Sequence, residues 1–387
     1  MALGFVSLFM DVSSELVHSL LPLFLVTTLG ASTVAVGLIE GIAETTASVT
    51  KLLSGSISDR IRQRKLLVTL SYALSALTKP VFPLAGSISV VLGARFVDRI
   101  GKGIRDAPRD ALMADVTPPE IRGAAYGLRQ ALDTAGAFAG PLLAMVLMLI
   151  YANDFRSVFW WAILPAAIAV TIIVVGVREP ERAKLQPETG LSIRRTDIDR
   201  LGGAYWRVVA IGVVFTMARF SEAFLVLKAA QVGLPFALVP LVMVLMNLVY
   251  ALLATPAGAL SDRIGRRIVL STGLAILVAA DVVLAVAAGR AGLFIGVALW
   301  GAYLGLTQGL LPALVADTAP EDLRGTAFGV FNLITGVMLL VSSLLAGMLW
   351  QWVGSAATFA AGGTFAAFAA CGLIVYQSPP RKAGTRA

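Results

Sequence analysis

From Ala94 to Asp110 the chain reads Ala-Arg-Phe-Val-Asp-Arg-Ile-Gly-Lys-Gly-Ile-Arg-Asp-Ala-Pro-Arg-Asp, between long apolar runs on either side. Wound as a helix, Arg95, Asp98, Arg99, Lys102, Arg105, Asp106, Arg109 and Asp110 share an arc of roughly 140°. Phe96, Val97, Ile100 and Ile104 fall on the other side. A charge facing lipid at the bilayer centre costs at least ~2.5–3.5 kcal/mol, so in a membrane this arc must face protein or water. The chain is thereby constrained to a bundle with a polar interior.

That a membrane surrounds the bundle follows from the totals. Of 387 residues, 58% are hydrophobic and 14% charged, whereas soluble domains run near half and a quarter. About 20 helical residues cross a bilayer, which leaves room for roughly a dozen spans. They are expected at 3–29, 33–57, 66–86, 88–110, 123–150, 156–177, 205–229, 234–258, 268–288, 292–315, 326–350 and 355–376. The first run is long and lacks a basic leader, so it reads as a span rather than a cleavable signal. Loops after even-numbered spans and the C-terminal tail hold 21 lysines and arginines, while the opposite loops hold Arg156 and Arg290. Basic loops face the cytoplasm, so both termini are expected there, with the bacterial inner membrane as the location. The net charge of +8 follows this topology and gives no reason to expect a nucleic-acid partner.

A polar segment containing Pro180, Pro187 and Gly190 lies near the middle. It divides the chain into an N-terminal six-helix bundle (1–177), a cytoplasmic linker (178–204) and a C-terminal six-helix bundle with a short tail (205–387). Internal repeats agree. Gly55-Ser-Ile-Ser-Asp-Arg-Ile61 recurs as Gly258-Ala-Leu-Ser-Asp-Arg-Ile264, and Asp115-Val-Thr-Pro-Pro-Glu-Ile-Arg-Gly123 as Asp317-Thr-Ala-Pro-Glu-Asp-Leu-Arg-Gly325. A looser match pairs Met10–Glu15 with Met217–Glu222. Each repeat has the same topology in both halves, so the expected fold is an all-α membrane protein of two parallel six-helix repeats.

Twelve spans in two parallel repeats, with G-x-x-x-D-R loops after spans 2 and 8, resemble the major facilitator superfamily over essentially the whole chain. Gly258, Asp262, Arg263 and Arg267 fit the family's loop motif; Gly55, Asp59, Arg60 and Arg64 fit it with Arg62 in place of a glycine. The resemblance implies a conformational latch at these loops, with Arg105 and Arg109 beside it in a cytoplasmic gate. Arg95, Phe96, Gly101 and Gly103 resemble the family's proton-coupling motif, R-F-L-Q-G-x-G-x-G, with Asp98, Arg99 and Lys102 as added charges. Gly136-x-x-x-Gly140-Pro141-x-x-Ala144 resembles the motif of drug–proton antiporters. Close helix contact at the small residues and a carbonyl freed by the proline suit a hinge, and ordinary helix packing suits them equally.

The charges inside the first six spans balance, eight basic against eight acidic, which implies a paired network rather than an anion funnel. Such pairs stabilise poorly, because desolvation offsets their attraction, so a site whose partners exchange explains them better. Proton coupling is assigned to Asp11, Glu15, Arg95, Asp98, Arg99 and Asp133, with Asp11 placed to pair with Arg95. In the family, spans 1, 4, 7 and 10 line the cavity. Glu15, His18, Arg219, Glu222 and Gln308 lie on these spans and, with Glu44 on span 2 and Asn332 on span 11, are the expected substrate contacts.

The function expected is secondary active transport by alternating access, with proton-coupled export of a small organic molecule. The alternative is proton-coupled import of an anionic or zwitterionic nutrient or a metal chelate. The partners expected are substrate, protons and the lipid bilayer, with the protein a monomer. No cofactor is expected, and one cysteine and one histidine give no metal site. Neither H-E-x-x-H, G-x-S-x-G nor a P-loop occurs, so no enzyme is expected.

Overall fold

The computed structural model describes residues 1–60, 64–118, 121–177, 198, 200–320 and 323–375, without the side chains of 55–60, 115, 313, 374 and 375. The described residues form twelve helical spans. They are α1 (Ala2–Thr28), α2 (Thr33–Arg60), α3 (Arg64–Leu84), α4 (Ile88–Val116), α5 (Arg122–Ile150) and α6 (Phe155–Gly176). After residues 178–197, which lie outside the description, come α7 (Gly203–Gln231), α8 (Phe236–Ile264), α9 (Arg266–Val286), α10 (Arg290–Thr318), α11 (Arg324–Trp352) and α12 (Ser355–Val375). Ten are long and apolar enough to cross a membrane by length and composition. The other two, α2 and α4, are 28 and 29 residues long and carry the charges that set them apart. The chain is a multi-pass membrane protein, and the expected linker falls largely outside the described residues.

Helices dominate because hydrocarbon offers the backbone no hydrogen bonds, so each span must satisfy its own. Where spans break, side chains take over. The helix of α7 stops at Ala218 and resumes at Ala223. Across this gap the Ser221 amide donates to Ser343 Oγ at 3.2 Å, and the Ser342 hydroxyl donates to the Arg219 carbonyl at 3.3 Å. In α3 the helix is interrupted at Lys79–Pro80, since proline has no amide to donate.

Glycines set how close the helices come. A Cβ on Gly101 would meet the Ser71 carbonyl on α3 at 2.7 Å, and one on Gly103 the Ala47 carbonyl on α2 at the same distance. The charged helix α4 is thus held between α2 and α3 with no room to spare. Gly136 and Gly140 bring α5 against α1 at the turns of Asp11 and Glu15: added Cβ atoms would lie 2.9 and 2.8 Å from those residues' Cβ atoms. Helix α5 runs unbroken through Pro141.

The first and last six spans meet chiefly along α2–α11 and α5–α8. The α2–α11 seam is built of small residues. Thr45 Oγ1 donates to the Gly336 carbonyl at 2.6 Å, and Thr33 Oγ1 to the Gly347 carbonyl and Gln351 Oε1, each at 3.1 Å. On the other side Phe155 meets Phe236 with ring centroids 6.2 Å apart. One end of the molecule, carrying residues 29–33, 151–155 and 232–236, is therefore sealed. With Cys371 replaced by alanine, Thr33→Cys and Gln351→Cys should be joined by a short bifunctional thiol reagent. Adding Gly41→Val, which drives a side chain into the Leu340 backbone, should cut the yield at least several-fold. Equal yields would refute the tight seam.

Candidate functional site

The charged arc of α4 is answered by carboxylates from α1 and α2, by the Lys79 ammonium of α3 and by the Arg129 guanidinium of α5. Arg95 Nη2 lies 2.7 Å from Glu40 Oε2, both side chains almost wholly buried. Arg99 Nη2 lies 3.0 Å from Glu44 Oε1, and Asp98 Oδ1 lies 3.0 Å from the buried ammonium of Lys79, which also donates to Ser14 Oγ at 3.1 Å. Burial of charge at this density is tolerable only with partners in place. The backbone break at Lys79–Pro80 sits at the residue whose ammonium answers Asp98.

His18 joins two carboxylates. Its Nδ1 is 3.3 Å from Glu15 Oε2 and its Nε2 3.4 Å from Glu40 Oε2. Glu15, His18, Glu40 and Arg95 thus form one continuous line from α1 through α2 to α4. The line is incompletely satisfied: Glu40 Oε1 and the Nε atoms of Arg95 and Arg99 are buried with no protein partner.

Further along α4 the contacts are of the same kind. Arg105 lies 3.6 Å from Asp11 Oδ1, with its guanidinium 4.8 Å from the centre of the Tyr72 ring. Arg109 contacts Asp106 at 3.6 Å and Asp110 at 3.1 Å and donates to Ser7 Oγ at 3.2 Å, while Arg129 binds Asp133 at 2.6 Å. Arg105 and Arg109 therefore pair within the first six helices. Asp11 does not meet Arg95, because Glu40 is nearer to that arginine and the turn carrying Asp11 faces Arg105.

Two connected spaces lie between the halves. A cavity of about 260 Å³ is lined by Glu15, His18, Glu40, Glu44, Arg99 and Lys102 from one side and by Arg219, Glu222, Asn247 and Gln308 from the other. One of about 470 Å³ continues from Glu15 and Gln308 past Asp11, Lys102 and Arg109 toward Lys51 and Asp110. The break in α7 places Arg219 and Glu222 on the inner cavity. Among the described residues Lys102, Arg219 and Glu222 line it without an ion-pair partner. Asn332 is on α11 and lines neither space.

At the end opposite the seal, the side chains of Asp59 and Arg60, and the surroundings of Gly55, lie outside the described residues; Arg64 is the first residue of α3. Gly258 sits on α8 with open space beside it. Asp262 and Arg263 are exposed at the end of α8 and Arg267 is half-buried at the start of α9, while the neighbouring Arg266 binds Asp317 on α10.

The eight basic and eight acidic residues counted in the first six spans include Glu40, Lys79 and Lys102, none of them among the expected site residues, and Asn247 is not among those either. For Glu40 the signal was present, one turn from Glu44 on the same face. Lys79 and Asn247 are isolated in sequence, and only the fold brings them to the site.

Comparison with known proteins fits this architecture. The sequence model of the Major Facilitator Superfamily matches residues 3–227 and 208–387. An uncharacterized MFS-type transporter of Methanocaldococcus jannaschii is 32% identical over 90% of this chain and 87% of its own length. The multidrug resistance protein MdtH of Proteus mirabilis is 30% identical, over 37% of this chain and 35% of its own. Among solved structures, a bacterial homologue of the human lysosomal transporter Spinster, inward-facing and unoccupied, superposes with a TM-score of 0.76 at 14% identity, covering 96% and 95% of the two chains.

The geometry predicts strong coupling between Glu40 and Arg95. Glu40→Gln leaves a buried guanidinium unanswered and should cost about 3–5 kcal/mol of stability, whereas replacing both residues by leucine or methionine should recover most of it. Denaturant unfolding in detergent measures this; additive losses would show that the two do not depend on each other.

Proposed function

This chain belongs to the major facilitator superfamily and is a secondary transporter of small molecules across a membrane, and we propose that it couples proton movement to export. The observation that carries the reading is the line Glu15–His18–Glu40–Arg95. Glu15 is at the cavity and meets protons and substrate. A proton on Glu15 weakens its hold on His18, which then relies on Glu40 alone and competes with Arg95 for the oxygen they share. Two halves, 1–177 and 205–387, joined by the linker 178–204, rock about the α2–α11 and α5–α8 seams as these pairs exchange. Asp11, Asp98, Arg99 and Asp133 complete the coupling set.

In this proposal both termini are cytoplasmic, the protein works as a monomer in the bacterial inner membrane, and the sealed end faces outward. Asp262 and Arg263 then belong to a released cytoplasmic latch. Export is favoured by the antiporter-like run Gly136–Ala144 and by the partial likeness to a multidrug resistance protein. Gly136 and Gly140 act by keeping α5 against the coupling turn of α1.

A second reading, import of an anionic or zwitterionic compound, draws on Lys102 and Arg219, two cations facing the inner cavity that form no ion pair among the described residues. Vesicles of known orientation separate the two. An inward proton gradient should drive cargo against proton flow; movement with the protons would favour import. In either case Arg95→Gln and Glu15→Gln should abolish pH-driven transport while leaving the protein inserted and monodisperse. Wild-type transport in both variants would sink the coupling assignment.

A further inference from the structure

Away from the cavity, the described C-terminal helices bury three polar groups with no protein partner in one neighbourhood. Asp281 on α9 has no exposed surface, and neither of its carboxyl oxygens meets a donor. It presses on α12 at Gly362 and Gly363. A Cβ on Gly362 would lie 2.7 Å from Asp281 Oδ2 and 2.8 Å from Cε1 of Phe220. The Phe220 ring centre is 5.2 Å from that of Trp300, and Trp300 is 6.3 Å from Tyr303, both on α10. The Trp300 Nε1 and the Tyr303 hydroxyl are the other two unpartnered groups. Two successive glycines thus make room for a carboxyl group that no protein donor among the described residues reaches.

A carboxylate with neither a counter-charge nor a hydrogen bond in an apolar interior costs several kcal/mol, and the group takes up a proton instead. The helices packed on α9 supply no counter-charge. Helix α12 has no charged residue. On α8, Tyr250 lines the outer cavity, and Asp262 and Arg263 lie at the end opposite the seal. On α10, Arg290 donates to the Gly233 carbonyl at the sealed end and Asp317 binds Arg266 at the other. Arg219 stands one residue before Phe220, at the cavity.

We propose that Asp281 is a proton-binding site of the C-terminal helices, separate from the charges of α4, and that its proton passes to and from the cavity through the Tyr303 hydroxyl. Tyr303 lies one turn before Thr307, whose hydroxyl donates to its carbonyl at 2.8 Å, and Gln308 next to Thr307 lines the cavity. Phe220 belongs to the broken segment of α7, so movement of that segment shifts the ring beside the carboxyl. The two groups are not hydrogen-bonded in this structure; when movement of that segment brings them together, the tyrosine oxygen accepts a proton from the cavity side while its own hydroxyl proton moves to Asp281. A tyrosine hydroxyl and a neutral carboxyl remain. The site makes the C-terminal half responsive to protons in its own right.

Infrared spectroscopy of the whole protein in lipid nanodiscs tests this without a known cargo. The wild type should show a protonated-carboxyl band that Asp281→Asn removes and Gly362→Ala shifts. On transfer to deuterium oxide, that band should move at least tenfold more slowly in Tyr303→Phe than in the wild type. A full set of protonated-carboxyl bands in Asp281→Asn overturns the site. If that variant does not fold, an unshifted spectrum in Gly362→Ala does so. Unaltered exchange in Tyr303→Phe overturns the route. None of these readouts depends on Glu15 or Arg95, so failure here leaves the coupling proposal standing.

Discussion

The structure depends on one constraint: the charges of α4 cannot be solvated by lipid, so they must be answered from within the protein. Glycines make that geometrically possible. Gly101 and Gly103 let α3 and α2 close on α4 until their carbonyls nearly touch its backbone, bringing Lys79, Glu40 and Glu44 within reach of Asp98, Arg95 and Arg99. Gly136 and Gly140 do the same for α1 against α5. A larger residue at any of these positions would separate charges that are affordable only in contact, and overpacking alone typically costs 1–3 kcal/mol.

The two halves use polar groups differently. In the first six helices charge is abundant and paired, in a network that, among the described residues, leaves Glu40 Oε1 and the Nε atoms of Arg95, Arg99 and Arg105 without a protein partner. In the last six, charge is sparse: Arg219 and Glu222 reach the cavity because α7 breaks, and α11 supplies the serines that make the break tolerable. Along α2–α11 the halves meet on a seam where glycine, serine and threonine bring the two backbones close. Such a seam favours two discrete packings over gradual deformation, as rocking requires.

Much of this was legible in the sequence. Apolar runs gave the spans, repeats gave the two-fold organisation, and the balance of charges gave a paired interior. Which charge answers which was not. Asp11 and Arg95 look suited to each other on depth, yet Asp11 meets Arg105 and Arg95 meets Glu40. Pairing depends on each helix's rotation about its own axis, and neighbouring residues of one helix differ by 100° in facing but only 1.5 Å in depth. The break at Arg219–Glu222 was equally hidden. No proline or glycine marks it, and its support comes from Ser342 and Ser343, more than 120 residues away. Asn332 shows the converse, a polar residue that looked placed for substrate and lies outside the cavity.

The central claim is that Glu15, His18, Glu40 and Arg95 convert a protonation event into movement of the halves. Electron-paramagnetic distance measurements between spin labels at Lys51 and Gly325, across the open end, test it most directly when recorded over a range of pH in lipid. With Cys371 replaced by alanine, two separate distance populations should exchange with pH, and His18→Gln should displace or abolish that exchange. A distribution insensitive to pH, or one whose pH response is unchanged in His18→Gln, would contradict the account.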